Sequence, residues 1–192
     1  MWGYVAESVE GGSVSHADLM TQVEACLDHE EANADEPAGQ VKIYTSGSFL
    51  DEREVPAETR KAIAETFGDR DRIVVESLPD FVEQEKVADF LDQGLATDVA
   101  VGLETATDRI RRDCVNKYFD FADFEDAAAA TLAAGEDYDA DAGVKAYLLL
   151  KPPFLAEPEA VEDMVTSIER CAAVDGCHTV SMIPCNVQRH TM

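Results

Sequence analysis

Apolar residues in this chain fall into two alternating rhythms. Five short runs are nearly continuous in apolar residues at the start and end in small, polar or charged ones: VKIYTSGSF (41–49), RIVVESLPDF (72–81), DVAVGLETATDR (98–109), VKAYLLLKPPF (144–154) and TVSMIPCNVQRHT (179–191). Segments such as IVVE and AYLLL suit strands buried on both faces of a parallel sheet. Strands are therefore expected at 41–46, 72–76, 98–102, 144–150 and 178–183. Between them the apolar positions recur at helical spacing. Residues 15–31 place Leu19, Val23, Cys26 and Leu27 on one face behind a Ser15 or His16–Ala17–Asp18 start. Residues 56–67 open on a proline and gather Ala62, Ile63 and Phe67. Residues 80–93 turn Phe81, Val87, Phe90 and Leu91 inward, and further helices are expected at 107–114 (short and basic), 121–134 (alanine-rich) and 157–173. The stretches ANADEPAGQ (32–40) and GEDYDADAG (135–143) read as solvated connections.

This alternation implies right-handed βαβ units and an α/β fold. Spacing alone does not separate an open doubly wound sheet from a barrel. Neither GxGxxG nor GxxxxGK[ST] occurs, which removes the strongest signals for dinucleotide or P-loop chemistry and favours a barrel. In parallel β/α folds the loops after the carboxyl ends of the strands carry the chemistry. The function is therefore to be sought at one rim. The chain starts inside what reads as a loop and ends just after a strand, so neither end resembles a domain boundary.

Charge narrows the setting. The chain has 192 residues, 40 of them acidic and 15 basic, for a net charge of −25. The acids are dispersed, and 46% of residues are hydrophobic, so a folded domain with a solvated acidic surface fits better than disorder. Such a surface suits a salt-rich (halophilic) cytoplasm, where the Debye length falls to about 3 Å at 1 M salt and self-repulsion is screened. It stands in tension with a nucleic-acid partner, whose phosphates need Lys and Arg. Arg109, Arg111, Arg112, Lys117, Lys145 and Lys151 are the groups that could form a positive rim. No run approaches the roughly 20 apolar residues of a membrane helix. The segment MWGYVAESVEGG lacks the basic start and apolar core of a signal peptide. The five cysteines (Cys26, Cys114, Cys171, Cys177 and Cys185) are odd in number and scattered, with no CxxC or CxxxC. That pattern points to a reducing cytoplasm rather than a disulfide scaffold.

Five groups of residues could do chemistry. Glu76 and Glu104 end buried strands, where a carboxylate must be paired, solvated in a cleft or neutral. Together they could take a ligand ammonium or ribose hydroxyls, or act as an acid/base pair; each could instead hold a neighbouring loop. The turn TSGSF (45–49) presents Ser46, Gly47 and Ser48, whose backbone could clasp a small polar ligand, although many strand–helix turns look alike. RIRRDCVNK (109–117) concentrates guanidinium groups that could take a carboxylate or phosphate, or could pair with nearby acids. In LLLKPPF (148–154) two prolines stiffen the chain after Lys151, aiming it at a substrate or only turning the loop. IPCNVQRHT (183–191) offers Cys185, Asn186, Gln188, Arg189 and His190; Cys185 and His190 resemble half of a nucleophilic dyad, without a specific geometry.

GLETATDRIRRDCVNK, VKAYLLLKPPFL and PCNVQRHT together resemble one family, the archaeosine-biosynthesis radical S-adenosylmethionine proteins, which form a subunit of archaeal tRNA archaeosine synthase. More widely the chain resembles radical-SAM tRNA-modifying enzymes and Elongator-type catalytic subunits. The resemblance implies a partial (β/α) barrel with S-adenosylmethionine lying across the strand ends beside a 4Fe–4S cluster. It implies that Ser46, Gly47, Ser48, Glu76, Glu104 and Arg112 face the cofactor. Lys151, Cys185, Asn186 and Gln188 would face the substrate side, Lys151 and Cys185 as catalytic residues. It implies tRNA and a synthase partner subunit as partners, and a radical reaction that converts a lysine-adducted 7-deazaguanine to a formamidine. The family holds its cluster with three cysteines of a CxxxCxxC-type loop. This chain contains no such loop, and its first residues match the segment that follows it. The expectation is one incomplete radical-SAM core over 1–192, missing strand one and the carboxyl-terminal extension and inactive alone. The alternative is a non-catalytic β/α protein that binds a ligand or a partner.

Overall fold

The five apolar runs form one parallel sheet. Its strands are β1 (Gln40–Ile43), β2 (Arg72–Glu76), β3 (Ala96–Glu104), β4 (Ala142–Leu149) and β5 (Cys177–Ile183), hydrogen-bonded in the order β1-β2-β3-β4-β5. The structure, a computed structural model, describes residues 14–45 and 47–185. The helices are α1 (His16–Asn33), α2 (Ala57–Thr66), α3 (Gln84–Leu91), α4 (Phe121–Tyr138) and α5 (Glu157–Ala172).

Each strand pairs with the next in sequence. Right-handed crossovers that never reverse direction keep the helices on one face of the sheet, the winding of a partial barrel rather than of a doubly wound sheet. On that face Ile73, Val75, Val99, Val101, Leu103, Val144, Ala146 and Leu148 meet Ile63, Phe90, Phe124, Ala128, Met164 and Cys171 in one core. Strand alternation then puts Val74, Glu76, Asp98, Ala100, Gly102, Lys145 and Tyr147 on the opposite face. The functional residues are thus sorted by parity before any loop is considered.

Local chemistry sets the helix ends. Ser15 and Asp18 form a reciprocal capping box on α1, and on α4 the Asp120 N–H donates to Asp123 Oδ2 at 2.6 Å. α1 leans on the core with Leu19, Met20, Val23 and Leu27 only partly buried. Cys26, expected on that face, is exposed, because the contact stripe centres on Leu19, Val23 and Leu27 and position 26 lies at its edge. The helix expected at 80–93 is broken. A 3₁₀ turn at Pro79–Phe81 is followed by extended backbone at Val82 and Glu83 before α3 begins. Val82 is buried there, so its insertion into the core interrupts the helix. The acidic stretch at 135–143 is not a loop throughout: α4 runs on to Tyr138, Asp139 caps it in the left-handed region, and β4 starts at Ala142.

At the amino ends of the strands, the face away from the helices is latched by charge. Buried Asp98 accepts hydrogen bonds from Arg72 and from His178 Nε2, the latter at 3.0 Å, and Arg72 also reaches Asp141. This network ties β2, β3 and β5 together away from the carboxyl rim. Among the described residues no helix is long and apolar enough to cross a membrane.

Candidate site at the carboxyl ends of the strands

The site is built on rows of side chains running across the sheet. Register aligns Glu76 of β2 with Ala100 of β3, Lys145 of β4 and Thr179 of β5. Two residues nearer the carboxyl rim, Gly102 aligns with Tyr147 and Ser181. With strands roughly 4.8 Å apart, the small residues Ala100 and Gly102 form a low floor between Glu76 on one side and Lys145 and Tyr147 on the other. The Lys145 ammonium lies 5.1 Å from the centre of the Tyr147 ring.

The turn after β1 is stitched to β2. Phe49 N–H donates to the Glu76 carbonyl at 2.8 Å, and Leu78 N–H donates to Ser48 Oγ at 3.0 Å. Thr45 N–H donates to the Glu76 carboxylate at 3.1 Å. Ser48 N–H donates to Glu54 Oε2 at 2.9 Å, and a Cβ added at Gly47 would lie 1.7 Å from that same oxygen. The absence of a side chain at Gly47 therefore lets a carboxylate reach the turn's backbone. Ser46 lies outside the described residues.

Glu104 sits where β3 is irregular. The β3–β4 register shifts between Gly102 and Glu104, and Glu104 adopts φ 67°. Its Oε1 accepts a hydrogen bond from Lys117 Nζ at 2.7 Å, and the same ammonium donates to the Gly102 carbonyl. Lys117 arrives by an unusual path. A helical turn at Asp108–Ile110 passes into a π turn at Arg111–Val115, and Asn116 follows at φ 63°. Asparagine tolerates that left-handed backbone better than most residues.

Arg111 holds this path in place. Its side chain is fully buried (0% exposed) and donates to the carbonyls of Leu103 (3.1 Å), Thr105 (2.6 Å) and Phe119 (3.1 Å) and to Asp108 Oδ1 (2.7 Å). The guanidinium also lies 5.1 Å from the centre of the Phe119 ring. It is a structural clamp on both flanks of the Glu104–Lys117 pair. Arg112, in contrast, has a side chain 64% exposed and bonds its neighbour Asp113 at 3.0 Å.

Electrostatics act on Glu76 and Tyr147. Burial raises the Glu76 carboxyl above its ordinary range, and the Thr45 amide, Lys117 and Lys145 pull it back in part. Burial and the Glu76 charge push the Tyr147 hydroxyl up to about 12. Tyr147 is thus a neutral donor at ordinary pH. The face offers carboxylates, ammonium groups and a phenol side by side, a set fit for a ligand carrying both charges and hydroxyls.

The structure brings Glu76, Glu104 and the Gly47–Ser48 turn to one end of adjacent strands. Lys151 follows β4 at the same rim and is ion-paired with Glu157 at the start of α5. Cys185 follows β5 as a half-buried free thiol. Asn186 and Gln188 fall outside the described residues. Sequence reasoning missed Tyr147 and gave Lys117 no separate place within its basic segment. Alternation in VKAYLLL, where Lys145 and Tyr147 interleave with core residues, carried the signal for the first. Nothing local marks Lys117, since a π turn leaves no periodic trace.

Over 197 aligned residues the chain is 40% identical to archaeosine synthase subunit beta of Methanosarcina acetivorans, a match covering 100% of this chain and 54% of that protein. The chain is a homologue of archaeosine synthase subunit beta. A second β subunit of that name, from Thermococcus kodakarensis, is 44% identical over 133 residues, 67% of this chain and 39% of that protein. An uncharacterized protein of Methanocaldococcus jannaschii is 34% identical over 155 residues, 78% of this chain and 40% of that one. The chain spans about half the length, or less, of these curated relatives. No protein-family model matches it. Among solved structures, Methanocaldococcus infernus Elp3 with an N-terminal deletion superposes with a TM-score of 0.64 at 15% identity, covering 90% of this chain and 44% of that one. The radical S-adenosylmethionine methyltransferase TsrM of Kitasatospora setae, solved with cobalamin and a [4Fe-4S] cluster, gives 0.56 at 16% identity, covering 88% and 29%. At such identities these structures speak to the fold, which this homologue of the synthase β subunits shares with them.

Proposed function

We propose that this chain is the cofactor-binding part of a tRNA-modifying radical-SAM protein acting in archaeosine formation. The observation that carries this reading is the convergence of Glu76, Glu104, Lys117 and Tyr147 at the carboxyl ends of neighbouring strands, in a chain homologous to archaeosine synthase β subunits. When bound, S-adenosylmethionine would supply the adenosyl group and its sulfonium. The residues present fit it. Glu76 and Glu104 offer acceptors for its ammonium and ribose hydroxyls, and Lys117 and Lys145 are cations for its carboxylate. Arg112, Ser46, Gly47 and Ser48 belong to the cofactor side. Lys151, Cys185, Asn186 and Gln188 belong to the substrate side, where tRNA would enter. Among the described residues no three Cys, His, Asp or Glu side chains stand together as a metal centre needs.

The reading takes the chain as one incomplete core, cytoplasmic, working with a synthase partner subunit and inactive without the cluster-binding segment. Glu104→Ala should weaken S-adenosylmethionine binding by about 1.5–3 kcal/mol, the scale of a hydrogen bond to a charged group. Lys151→Ala should leave that affinity unchanged and slow tRNA turnover in a cluster-bearing form completed by the flanking sequence of its relatives. Calorimetric titration of both variants, beside a single-turnover assay, tests the division. Equal loss of cofactor affinity in both, or loss in neither, defeats it.

The acidic surface extends the reading to a salt-rich cytoplasm. Raising potassium chloride from about 0.1 M to about 1 M should raise the thermal midpoint by several degrees, because screening shortens from roughly 10 Å to 3 Å. A midpoint that falls or stays level removes the salt adaptation.

A further inference from the structure

We propose that the carboxyl rim binds an unpaired stretch of RNA by stacking its bases on exposed aromatic rings, with Phe154 as the principal platform and Tyr118 as a second. The inference rests on the tRNA reading above and deepens it: that reading names the substrate, and the rings say how it is held.

The placement of aromatic side chains carries the inference. Among the described residues four of them are exposed: Tyr44, Tyr118, Tyr138 and Phe154. Three stand in the connections that leave the carboxyl ends of β1, β3 and β4, namely Tyr44 (62% exposed), Tyr118 (68%) and Phe154 (81%). At a strand spacing of about 4.8 Å these connections leave the sheet within roughly 15 Å of one another. Phe154 is the most telling. A proline followed by a residue at positive φ is the pattern of a type II turn, whose second central position favours Gly or Asn. Here Pro153 is followed by Phe154 at φ 70°. A bulky side chain in that region is a genuine outlier, and such strain clusters at ligand clamps. The ring gains no burial in return. Buried Pro152 and the adjoining Pro153 stiffen the loop, so little freedom is lost when a ligand settles on the ring. Tyr118 is also held in place. Its ring meets Phe119 edge to face, with centroids 6.3 Å apart and planes at 90°, and the Asp80 carboxylate lies beside its hydroxyl.

Charge explains why rings would serve here. With a net charge of −25 the chain repels phosphates, and the exposed cations of the rim are already matched: Arg53 with Asp51, Arg112 with Asp113 and Lys151 with Glu157. High salt weakens phosphate contacts further. Stacking needs no cation and accepts any base, because every base has a flat π face. Leu150 apart, exposed aliphatic side chains gather elsewhere, at Val161 and Val165 of α5 and Met182 and Ile183 of β5. The aromatic rim is therefore distinct from the apolar flank that further protein would cover.

The test titrates this chain with an unpaired RNA carrying a fluorescent adenine analogue that is quenched by stacking, and with the same RNA as a duplex. The unpaired form should bind and be quenched, and the duplex should bind far more weakly. Phe154→Ala and Tyr118→Ala should each weaken binding about tenfold, and together about a hundredfold, since separate base stacks add. Phe154→Trp should bind at least as tightly as the parent. From about 0.1 M to about 1 M potassium chloride the affinity should fall less than about fivefold, the loss expected from a single phosphate contact on a single strand. Phe154→Gly should lose the same RNA affinity as Phe154→Ala yet unfold at no lower temperature than the parent, because glycine is at ease at positive φ. Ring variants that bind RNA like the parent would overturn the inference and turn the rings over to a protein partner. A salt dependence of about a hundredfold would overturn it in favour of phosphate contacts, and early unfolding of Phe154→Gly would make the ring structural. If the parent binds no RNA, the tRNA reading falls and takes this inference with it; if the parent and the ring variants bind alike, the inference alone falls.

Discussion

Replacing Arg111 with methionine should remove about 3–5 kcal/mol of stability, the scale for deleting one partner of a buried charged network. The carbonyls of Leu103, Thr105 and Phe119 would each lose a donor in a site that solvent does not reach. The Leu103 carbonyl would keep the Thr105 N–H at 2.8 Å; a buried acceptor left unsatisfied is what makes such losses large. Asp108 would lose its cation and would keep only the Phe121 amide at 2.8 Å among its bonds from this cluster. Arg112→Ala, one residue away, should change stability by less than about 0.5 kcal/mol, as exposed substitutions do. Urea unfolding of the two variants side by side measures the contrast. Equal effects, or an Arg111→Met loss below about 1 kcal/mol, would mean that the clamp is not what anchors the loop after β3.

Truncating Phe90 to alanine should also cost about 3–5 kcal/mol, the range for a buried aromatic side chain that leaves a cavity. Phe90 is 0% exposed at the end of α3, with the Phe49 ring centroid 6.1 Å away. The loss therefore loosens both α3 and the turn after β1 that carries Gly47 and Ser48. Val161→Ala on α5, at a position 64% exposed, should stay within about 0.5 kcal/mol. Thermal or urea denaturation reads both. A Phe90→Ala midpoint close to the parent's would show that α3 is not a principal support of the sheet.

These two side chains mark how far the sequence could be read. Phe90 was legible, since its inward face follows from period 3.6 in FVEQEKVADFL, and the strands were legible from IVVE and AYLLL. The rim positions of Glu76 and Glu104 were legible because a charged residue closing an apolar strand has few places to go. Arg111 was not separable from Arg109 and Arg112, because burial of a guanidinium depends on three carbonyls and a carboxylate that only the folded loop assembles. The break in the helix at Val82 was hidden for a related reason: a local pattern that supports a helix was overridden by the pull of the core on one valine. Lys117 was hidden by the π turn, which shifts a side chain around the helix axis without changing composition.

The strand order has a last consequence, for the way the chain folds. Each strand after the first meets a partner already laid down by the unit before it. Pairing then advances in one direction, β2 onto β1 and finally β5 onto β4. A doubly wound sheet must leave an interior edge waiting for a distant segment; this one need not. Assembly can therefore keep pace with synthesis, which proceeds at about 5–20 residues per second. Among the described residues, the growing edge and the outer edge of β1 are the surfaces open to mispairing while the next unit is being made.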